Sequence, residues 1–338
     1  MNKKNLKVGV VGATGMVGQT FMNILEERKF PLAELRPFAS ENSLGKKLEV
    51  QGREWAVQTL KEDCFAGLDL VFFSSGDDIS KDWAPKAAQA GAIAVDNSAA
   101  FRMDPEIPLV VPEVNGHLLS LTGKGQIIAN PNCSTIQLVV ALKPLADKFG
   151  LEAVKVATYQ AVSGAGLPAY EELIAQVEDY QNPKPSVKNF PHPILFNLIP
   201  QIGSFGDHGF SSEEIKIMKE TKKILDLKEL KTSAFTVRVP VLNAHSEAVW
   251  VTLKKEVELK EFTETLRLGQ GLVLLDNPKE SQYPMPRDIS GLDPVYVGRI
   301  HRDLEDTKTY LMWVVSDNIR KGAALNGIQI AERIFDIN

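Results

Sequence analysis

The chain has 338 residues, 44% of them hydrophobic and 24% charged, with a formal net charge of -5. That length and mixture predict a globular protein of two domains and exclude a disordered or low-complexity chain. The acidic balance argues against nonspecific nucleic-acid binding, and two cysteines, Cys64 and Cys133, are too few for a disulfide framework. With no apolar leader and no run of about 20 apolar residues, the expectation is a cytoplasmic protein without membrane contact, whose thiols stay reduced.

Leu6-Lys7-Val8-Gly9-Val10-Val11 reads as a buried parallel strand, and Gly12-Ala13-Thr14-Gly15-Met16-Val17-Gly18 turns it into a helix. Val17, Phe21, Ile24 and Leu25 follow at helical spacing. Glycines at 12, 15 and 18 let the backbone approach a pyrophosphate at the helix N-terminus. The G-x-x-G-x-x-G spacing departs from the usual dinucleotide fingerprint, and a tight glycine turn without ligand is the alternative. The strand before it and the amphipathic helix after it favour the nucleotide.

A second strand, near residues 35–39, ends at Ser40-Glu41-Asn42-Ser43. A carboxylate at that tip would select NAD through the ribose 2′-OH. Ser40 at the tip, with Lys46 and Lys47 beyond, favours NADP; Glu41 weighs against it, and a solvated charged loop is the other reading of the lysines. Residues 68–73 form another buried strand ending in Ser74-Ser75-Gly76, a small loop suited to a dinucleotide. A crossover helix over residues 79–90 and a strand over 92–95, ending in Asp96-Asn97-Ser98, continue the alternation. Such alternation means a doubly wound parallel sheet that binds ligands at the carboxyl ends of its strands. Arg102, just past the Asp96-Asn97-Ser98 tip, could hold a phosphate through its two-pronged guanidinium, or be an ordinary surface arginine.

The apolar residues 126–128 lead to Ala129-Asn130-Pro131-Asn132-Cys133-Ser134-Thr135 and a long apolar run over 136–145. This reads as strand, turn and helix, with Asn132 or Cys133 near the N-cap. A thiol there meets unpaired backbone N–H groups and the positive end of a helix dipole. These lower its pKa from about 8.5 and populate the thiolate. Cys133 is therefore the expected nucleophile; the alternative is a small buried residue that fills space.

From about residue 155 the runs are longer and of β type. Residues 154–160 form a strand leading to the small loop Ala161-Val162-Ser163-Gly164-Ala165-Gly166, which would let a flat ring approach the backbone. A helix over 168–180, a proline-rich loop over 183–193 and a helix opening at Glu213-Glu214-Ile215-Lys216 follow. Residues 236–240 and 247–252 read as a hairpin-like pair of strands with Arg238 and His245 at its ends. Histidine is the side chain best suited to move a proton at neutral pH. The other four, His117, His192, His208 and His301, read as structural. Ser316-Asp317-Asn318 ends a strand over 310–315, and a helix over 320–335 presents Leu325, Ile328, Ala331 and Phe335 on one face. It is expected to pack back on the first domain.

Together, the glycine turn, Asp96 to Arg102, Val111-Pro112-Glu113-Val114-Asn115 and Asn130-Pro131-Asn132-Cys133-Ser134-Thr135 resemble the aspartate-semialdehyde dehydrogenase family. So do Tyr159 to Gly166, Glu213 to Lys216, Arg238 to Val241 with His245, and Asn318 to Asn326, nearly the whole chain in order. The resemblance implies an N-terminal Rossmann-like doubly wound α/β domain, residues 1–132 completed by 318–338, and an α+β catalytic and dimerisation domain, residues 133–317. It implies NADPH-dependent reductive dephosphorylation of L-aspartyl 4-phosphate to L-aspartate 4-semialdehyde, for lysine, methionine and threonine biosynthesis. Cys133 would be the nucleophile, His245 the acid/base and Gln160 the residue orienting the thioacyl group. Arg102 and Lys216 would bind phosphate, and Arg238 and Glu214 the substrate's carboxylate and amino groups, with Asn132 also in the substrate site. The cofactor would meet Gly12, Thr14, Gly15, Met16, Val17, Ser40, Ser43, Ser74, Ser163, Gly164 and Asn318. The assembly would be a homodimer or a dimer-based tetramer, and no metal is implied.

One departure bears on the cofactor. Asn42 stands where many relatives carry an arginine that contacts the 2′-phosphate, which leaves NADP against dual use open; Ala99 stands where a serine is common. Two alternatives remain beside this activity. One is another acyl-phosphate reductase, of the N-acetylglutamyl-phosphate reductase or glyceraldehyde-phosphate dehydrogenase kind. The other is a noncatalytic nucleotide-binding relative, against which the retained cysteine and histidine argue.

Overall fold

A computed structural model of the chain describes residues 5–121 and 125–337. The charged lead Met1-Asn2-Lys3-Lys4 lies outside the described residues. The chain forms two compact units, one of residues up to Asn132 together with those from Ala323 onward, the other Cys133–Gly322.

The first unit opens with β1 (Leu6–Val11), α1 (Met16–Glu27) and β2 (Leu32–Phe38). A hairpin of β3 (Lys47–Val50) and β4 (Arg53–Ala56) then appears that sequence periodicity did not suggest. Its two-residue turn holds Gln51 and Gly52 at φ 54° and 69°, the left-handed pair that matches strand twist. β5 (Leu70–Phe73), α2 (Asp77–Gln89), β6 (Ile93–Asp96), the single turn α3 (Pro112–Asn115) and β7 (Ile127–Ala129) follow. Five strands form one parallel sheet in the order β2-β1-β5-β6-β7, as the alternation of apolar strands and amphipathic helices requires. The order reverses between β1 and β5, and the Gly12 turn and Ser74 follow the carboxyl ends of those two strands, the place where such sheets take ligands.

The second unit begins with α4 (Cys133–Phe149), buried on every side from Ser134 to Leu142, a mostly apolar stretch that also buries Ser134, Thr135 and Gln137. β8 (Leu151–Gln160), α5 (Leu167–Glu178), α6 (Ser212–Leu225), β9 (Lys231–Arg238) and β10 (His245–Leu253) come next. Then α7 (Leu259–Arg267), β11 (Leu272–Leu274), the turn α8 (Pro286–Ile289), β12 (Val295–Arg302) and β13 (Thr309–Ser316) complete a mixed six-stranded sheet. Its order is β11-β12-β13-β10-β8-β9. The expected α/β fold is the one observed, with a parallel sheet in the first unit and, where an α+β domain was expected, a mixed sheet with helices in the second.

The hairpin expected of residues 236–252 is not formed. β9 pairs parallel with β8, and β10 pairs antiparallel with the other edge of β8, so β8 lies between them. The six-residue link after Arg238 is too long for a tight hairpin turn and crosses the end of β8 instead. This gathers Gln160, Arg238 and His245 at one end of the sheet: Gln160 is opposite Arg238, and Tyr159 opposite Ser246.

The expected C-terminal helix is divided. A π-helical turn over Arg320–Ala324 precedes α9 (Leu325–Phe335), whose buried Leu325, Ile328, Ala331 and Phe335 share the apolar cluster of Val8, Phe21, Leu25 and Phe72 in the first unit.

Candidate active site

In the first unit, Gly12 adopts φ 82°, and a Cβ there would stand 2.7 Å from the Ser74 carbonyl oxygen. A Cβ on Gly18 would stand 2.2 Å from the Gly12 carbonyl oxygen. Both positions therefore demand glycine so that the turn, β5 and α1 can approach closely. Gly15 differs: its Cβ would meet nothing nearer than 3.4 Å, so the fold alone does not require glycine there. Gly15 is the N-cap of α1, and neither a capping side chain nor an acidic first turn occupies that helix end. Thr14, Met16 and Val17 lie on the same turn, and Ser74 Oγ donates to the Val11 carbonyl at 2.9 Å. An anion at this end would complete the helix, as a pyrophosphate does.

At the tip of β2, Ser40 is exposed and Ser43 buried. Lys47 is engaged by Glu54 at 2.6 Å, which leaves exposed Lys46 as the lysine better able to meet a 2′-phosphate. Arg102 is buried at the carboxyl ends of β6 and β7, with Nε donating to Asn130 O and Nη2 to Asn97 O, each at 3.0 Å. It is not a surface residue. Asn132, buried, immediately precedes Cys133.

In the second unit, Cys133 is the first residue of α4 and half-buried. A Cβ on Gly322 would come within 2.9 Å of the Cys133 Cβ, so the π-helical turn can pack on the cysteine only with glycine there. Arg238 is 5% exposed, and its Nη1 donates to Ala161 O at 2.7 Å. Burial lowers its pKa, opposed by attraction to Glu213 and Cys133, so the guanidinium lies within electrostatic reach of the thiol. His245 is fully buried; its Nδ1 accepts the Ala161 N–H at 3.0 Å, and its Nε2 lies 3.5 Å from Gln160 Nε2. Burial, aided by the Arg238 charge, holds this imidazole well below its ordinary pKa.

Gln160 is oriented from two sides. Thr158 Oγ1 donates to its Oε1 at 3.0 Å, and its Nε2 donates to Glu213 Oε1 at 3.2 Å. A carboxylate accepts only, so the amide nitrogen must face Glu213. Gly164 closes the group: a Cβ there would stand 3.0 Å from Arg238 Nη1 and 3.1 Å from His245 Nε2.

The carboxylate of this cluster is Glu213, whereas the sequence pointed to Glu214. Glu214 Oε2 accepts the Ser211 N–H at 2.7 Å and Oε1 the Thr236 N–H at 2.9 Å, closing a capping box at the start of α6. Both its oxygens are thereby committed to the fold. Glu213 instead reaches Gln160 and, at 3.6 Å, Lys216 Nζ, one helical turn away. The signal was present as Ser211-x-x-Glu214, the sequence form of that box.

Asn318 and Ser163 are buried and bonded to each other, Asn318 Nδ2 donating to Ser163 Oγ at 3.0 Å. Asn318 Oδ1 also accepts the Ala244 N–H at 2.9 Å. Ala244 holds φ 71°, an uncommon conformation for alanine, directly before His245. Asp317 fastens the same loops, taking Asn243 Nδ2 and Gly291 N–H on one oxygen and the N–H groups of Ile319 and Arg320 on the other. Thr158, Ala161, Asn243, Asp317 and Gly322 were not singled out from sequence; Ala161 acts through its backbone groups and Gly322 through close approach, which carry no residue-type signature, whereas Thr158, Asn243 and Asp317 act through their side chains.

The chain is similar over nearly its whole length to known proteins. The family described as "Semialdehyde dehydrogenase, NAD binding domain" matches residues 7–122, and "Semialdehyde dehydrogenase, dimerisation domain" matches residues 142–321. The aspartate-semialdehyde dehydrogenase of Aquifex aeolicus is 50% identical over 329 residues, covering 96% of this chain and 97% of its own. The crystal structure of aspartate semialdehyde dehydrogenase II from Vibrio cholerae complexed with ASA superposes with a TM-score of 0.95 at 41% identity, covering 99% of each chain. That of the Candida albicans enzyme with NADP superposes with a TM-score of 0.76 at 30% identity, covering 98% of this chain and 100% of that one.

Proposed function

The chain belongs to the aspartate-semialdehyde dehydrogenase family, and from that premise we propose that it interconverts L-aspartyl 4-phosphate and L-aspartate 4-semialdehyde through a thioacyl group on Cys133. The observation that carries this reading is one cluster of the second unit: a helix-initiating cysteine that shares its surroundings with buried Arg238, whose neighbours include His245 and Gly164.

NADP, when bound, supplies or accepts the hydride of this reaction. The first unit fits a dinucleotide through the uncapped start of α1, the glycine turn and Ser74, and exposed Ser40 and Lys46 suit a 2′-phosphate. The thiolate attacks the acyl carbon, the bond to phosphate breaks, and a thioester remains. Arg238 holds the substrate carboxylate beside the thiol, and Glu213, anchored by Gln160 and Lys216, takes the ammonium group. Arg102 and Lys216 are the proposed phosphate cations. His245 serves the oxygen of the reacting carbonyl, and Gln160 orients the acyl group.

We further propose a homodimer formed through the second unit. The sheet face opposite α4 carries half-exposed Tyr159 and Phe235, at 37% and 56% exposure, and a cavity of about 350 Å³ lined by Trp250, Met285, Met312 and Trp313. A partner would cover such apolar area. Pairing of two dimers would give the tetramer. A cytoplasmic location fits a biosynthetic enzyme with a free thiol, and no described helix is long and apolar enough to cross a membrane.

The test is a phosphate-dependent assay with aspartate semialdehyde, run with NADP and NAD in parallel and against N-acetylglutamate semialdehyde and glyceraldehyde 3-phosphate. Turnover confined to aspartate semialdehyde and faster with NADP is expected. Preference for either other aldehyde would overturn the substrate assignment.

A further inference from the structure

We infer that the backbone N–H of Ala161 keeps His245 a neutral ring with its proton on Nε2. His245 then serves the reaction as a hydrogen-bond donor to the substrate's carbonyl oxygen, and not as the base that ionises Cys133. This deepens the reading of His245 given above and rests on it.

A backbone amide can only donate, so the Nδ1 facing Ala161 N at 3.0 Å must be bare. A neutral imidazole has one proton, which therefore sits on Nε2. The Gln160 amide nitrogen 3.5 Å away is also a donor, because its orientation is set by the Glu213 carboxylate. Two donors make no hydrogen bond with each other, so the Nε2–H is left without an acceptor in either Gln160 or Ala161. It opens toward the space that Gly164 leaves, where a Cβ would be only 3.1 Å from Nε2.

Two other states of the ring are penalised by the same contact. Protonating Nδ1 to make an imidazolium would set that N–H against the Ala161 N–H inside a fully buried site. Moving the proton to Nδ1, so that Nε2 could act as a base, creates the same clash. The peptide that carries this N–H cannot turn away, because its carbonyl, that of Gln160, accepts the Val239 N–H at 3.0 Å. The charges around the ring agree. Arg238 from β9 opposes an imidazolium, and Glu213 from α6 is screened by Gln160 and Lys216. Glu247, two positions along β10, is fully buried, which pushes its carboxyl well above the usual range. Asp317, just past β13, is spent on four donors. Cys133, at the head of α4, is linked to Arg238.

The chemistry balances without a proton passing through His245. The thiolate adds to the acyl carbon, and phosphate leaves with the electron pair of the broken C–O bond and takes up its proton from solvent. Reduction of the thioester carbon moves the carbonyl pair onto oxygen, where Nε2–H meets it. That pair re-forms the C=O as the C–S bond breaks, and sulfur departs as the thiolate that began the cycle. A neutral imidazole is sufficient as the electrophile for such an oxygen.

The experiment has two arms on the full-length protein. Nitrogen-15 NMR of histidine-labelled protein, with the His245 signals identified by their loss in His245→Gln, should show Nε2 protonated and Nδ1 bare throughout about pH 5 to 8, where an unperturbed imidazole titrates. An Nδ1–H tautomer or an imidazolium in that range overturns the inference. In the second arm, iodoacetamide alkylation of Cys133 against pH should give the same midpoint in His245→Gln as in the parent chain. A thiolate–imidazolium pair would instead be lost with the histidine, raising the midpoint by about one unit or more and slowing alkylation about tenfold at neutral pH. Turnover bears on the underlying reading alone: full activity in His245→Gln would remove His245 from the chemistry whatever its tautomer.

Discussion

Glu213 accepts a hydrogen bond from Gln160 at 3.2 Å, although the residue next to it, Glu214, points its carboxylate into the backbone of Ser211 and Thr236. Successive residues of a helix lie about 100° apart, so two adjacent acids are given separate tasks. Exchanging each for glutamine should separate function from folding. Glu213→Gln is expected to lower kcat/KM at least about tenfold, some 1.4 kcal/mol, with little change in stability. Glu214→Gln keeps one acceptor but sets an NH2 against a backbone N–H, and should cost about 1–3 kcal/mol of unfolding free energy. Paired kinetics and denaturant titrations check this, and a kinetic defect confined to Glu214→Gln would reverse the assignment.

Gly164 offers a smaller probe. It is neither left-handed nor in a turn that needs glycine, so alanine fits its backbone; the Cβ alone meets Arg238 and His245. Gly164→Ala should therefore lower kcat, because the added methyl occupies the space in front of Nε2, with at most a modest fall in melting temperature as Arg238 and His245 shift by a few tenths of an ångström. Unchanged kcat would mean that space is not used in the reaction.

Much of this site was legible in the sequence because its chemistry resides in side-chain types at ordered positions. Cys133 follows a strand and starts a helix, and the glycine turn sits between a buried strand and an amphipathic helix. What was not legible depends on pairing at a distance. Nothing local to residues 236–252 says that β8 will lie between β9 and β10, yet that insertion brings Gln160 between Arg238 and His245. The roles of Ala161 and Gly322 were equally hidden, one acting through its peptide group and the other through the side chain it lacks. Apart from His301, residues 259–302 gave no reading, and they contribute α7, β11, α8 and β12.

Glu247 predicts a pH dependence of stability. It is fully buried two positions after His245, and burial drives its carboxyl well above the usual range, with Gln137 partly offsetting this. Residues two apart on a strand share a face, as do residues four apart on a helix, so Glu247 lies along from His245 as Gln137 lies along from Cys133. The folded state keeps its proton at pH values where the unfolded chain has lost it. The folded state then binds more protons, so stability falls as pH rises from the unfolded value toward the folded one, by up to about 1.4 kcal/mol per unit. Glu247→Gln, which resembles the protonated acid, should remove this slope. It should stabilise the protein near neutrality far more than in mild acid, as read by urea unfolding at two pH values. An equal effect at both would mean that Glu247 is not held protonated.

The last prediction concerns what ionises the cysteine. Arg238 is nearly buried and is drawn electrostatically to Cys133, whereas His245 is held neutral beside it. An opposite charge at close range shifts an acidic group by about 1–3 units, and the attraction is reciprocal. Arg238→Met should therefore raise the pH midpoint of Cys133 alkylation by at least about one unit, in addition to weakening binding of the substrate carboxylate. Cys133→Ser should abolish turnover but leave NADP affinity unchanged, because the glycine turn and Ser74 belong to the other compact unit. Cys64, the remaining thiol, is buried and pushed up by desolvation, so it should not contribute to the alkylation signal. If Arg238→Met alkylates with the parent's pH profile, the guanidinium is not the source of the thiolate, and the start of α4 alone must stabilise it.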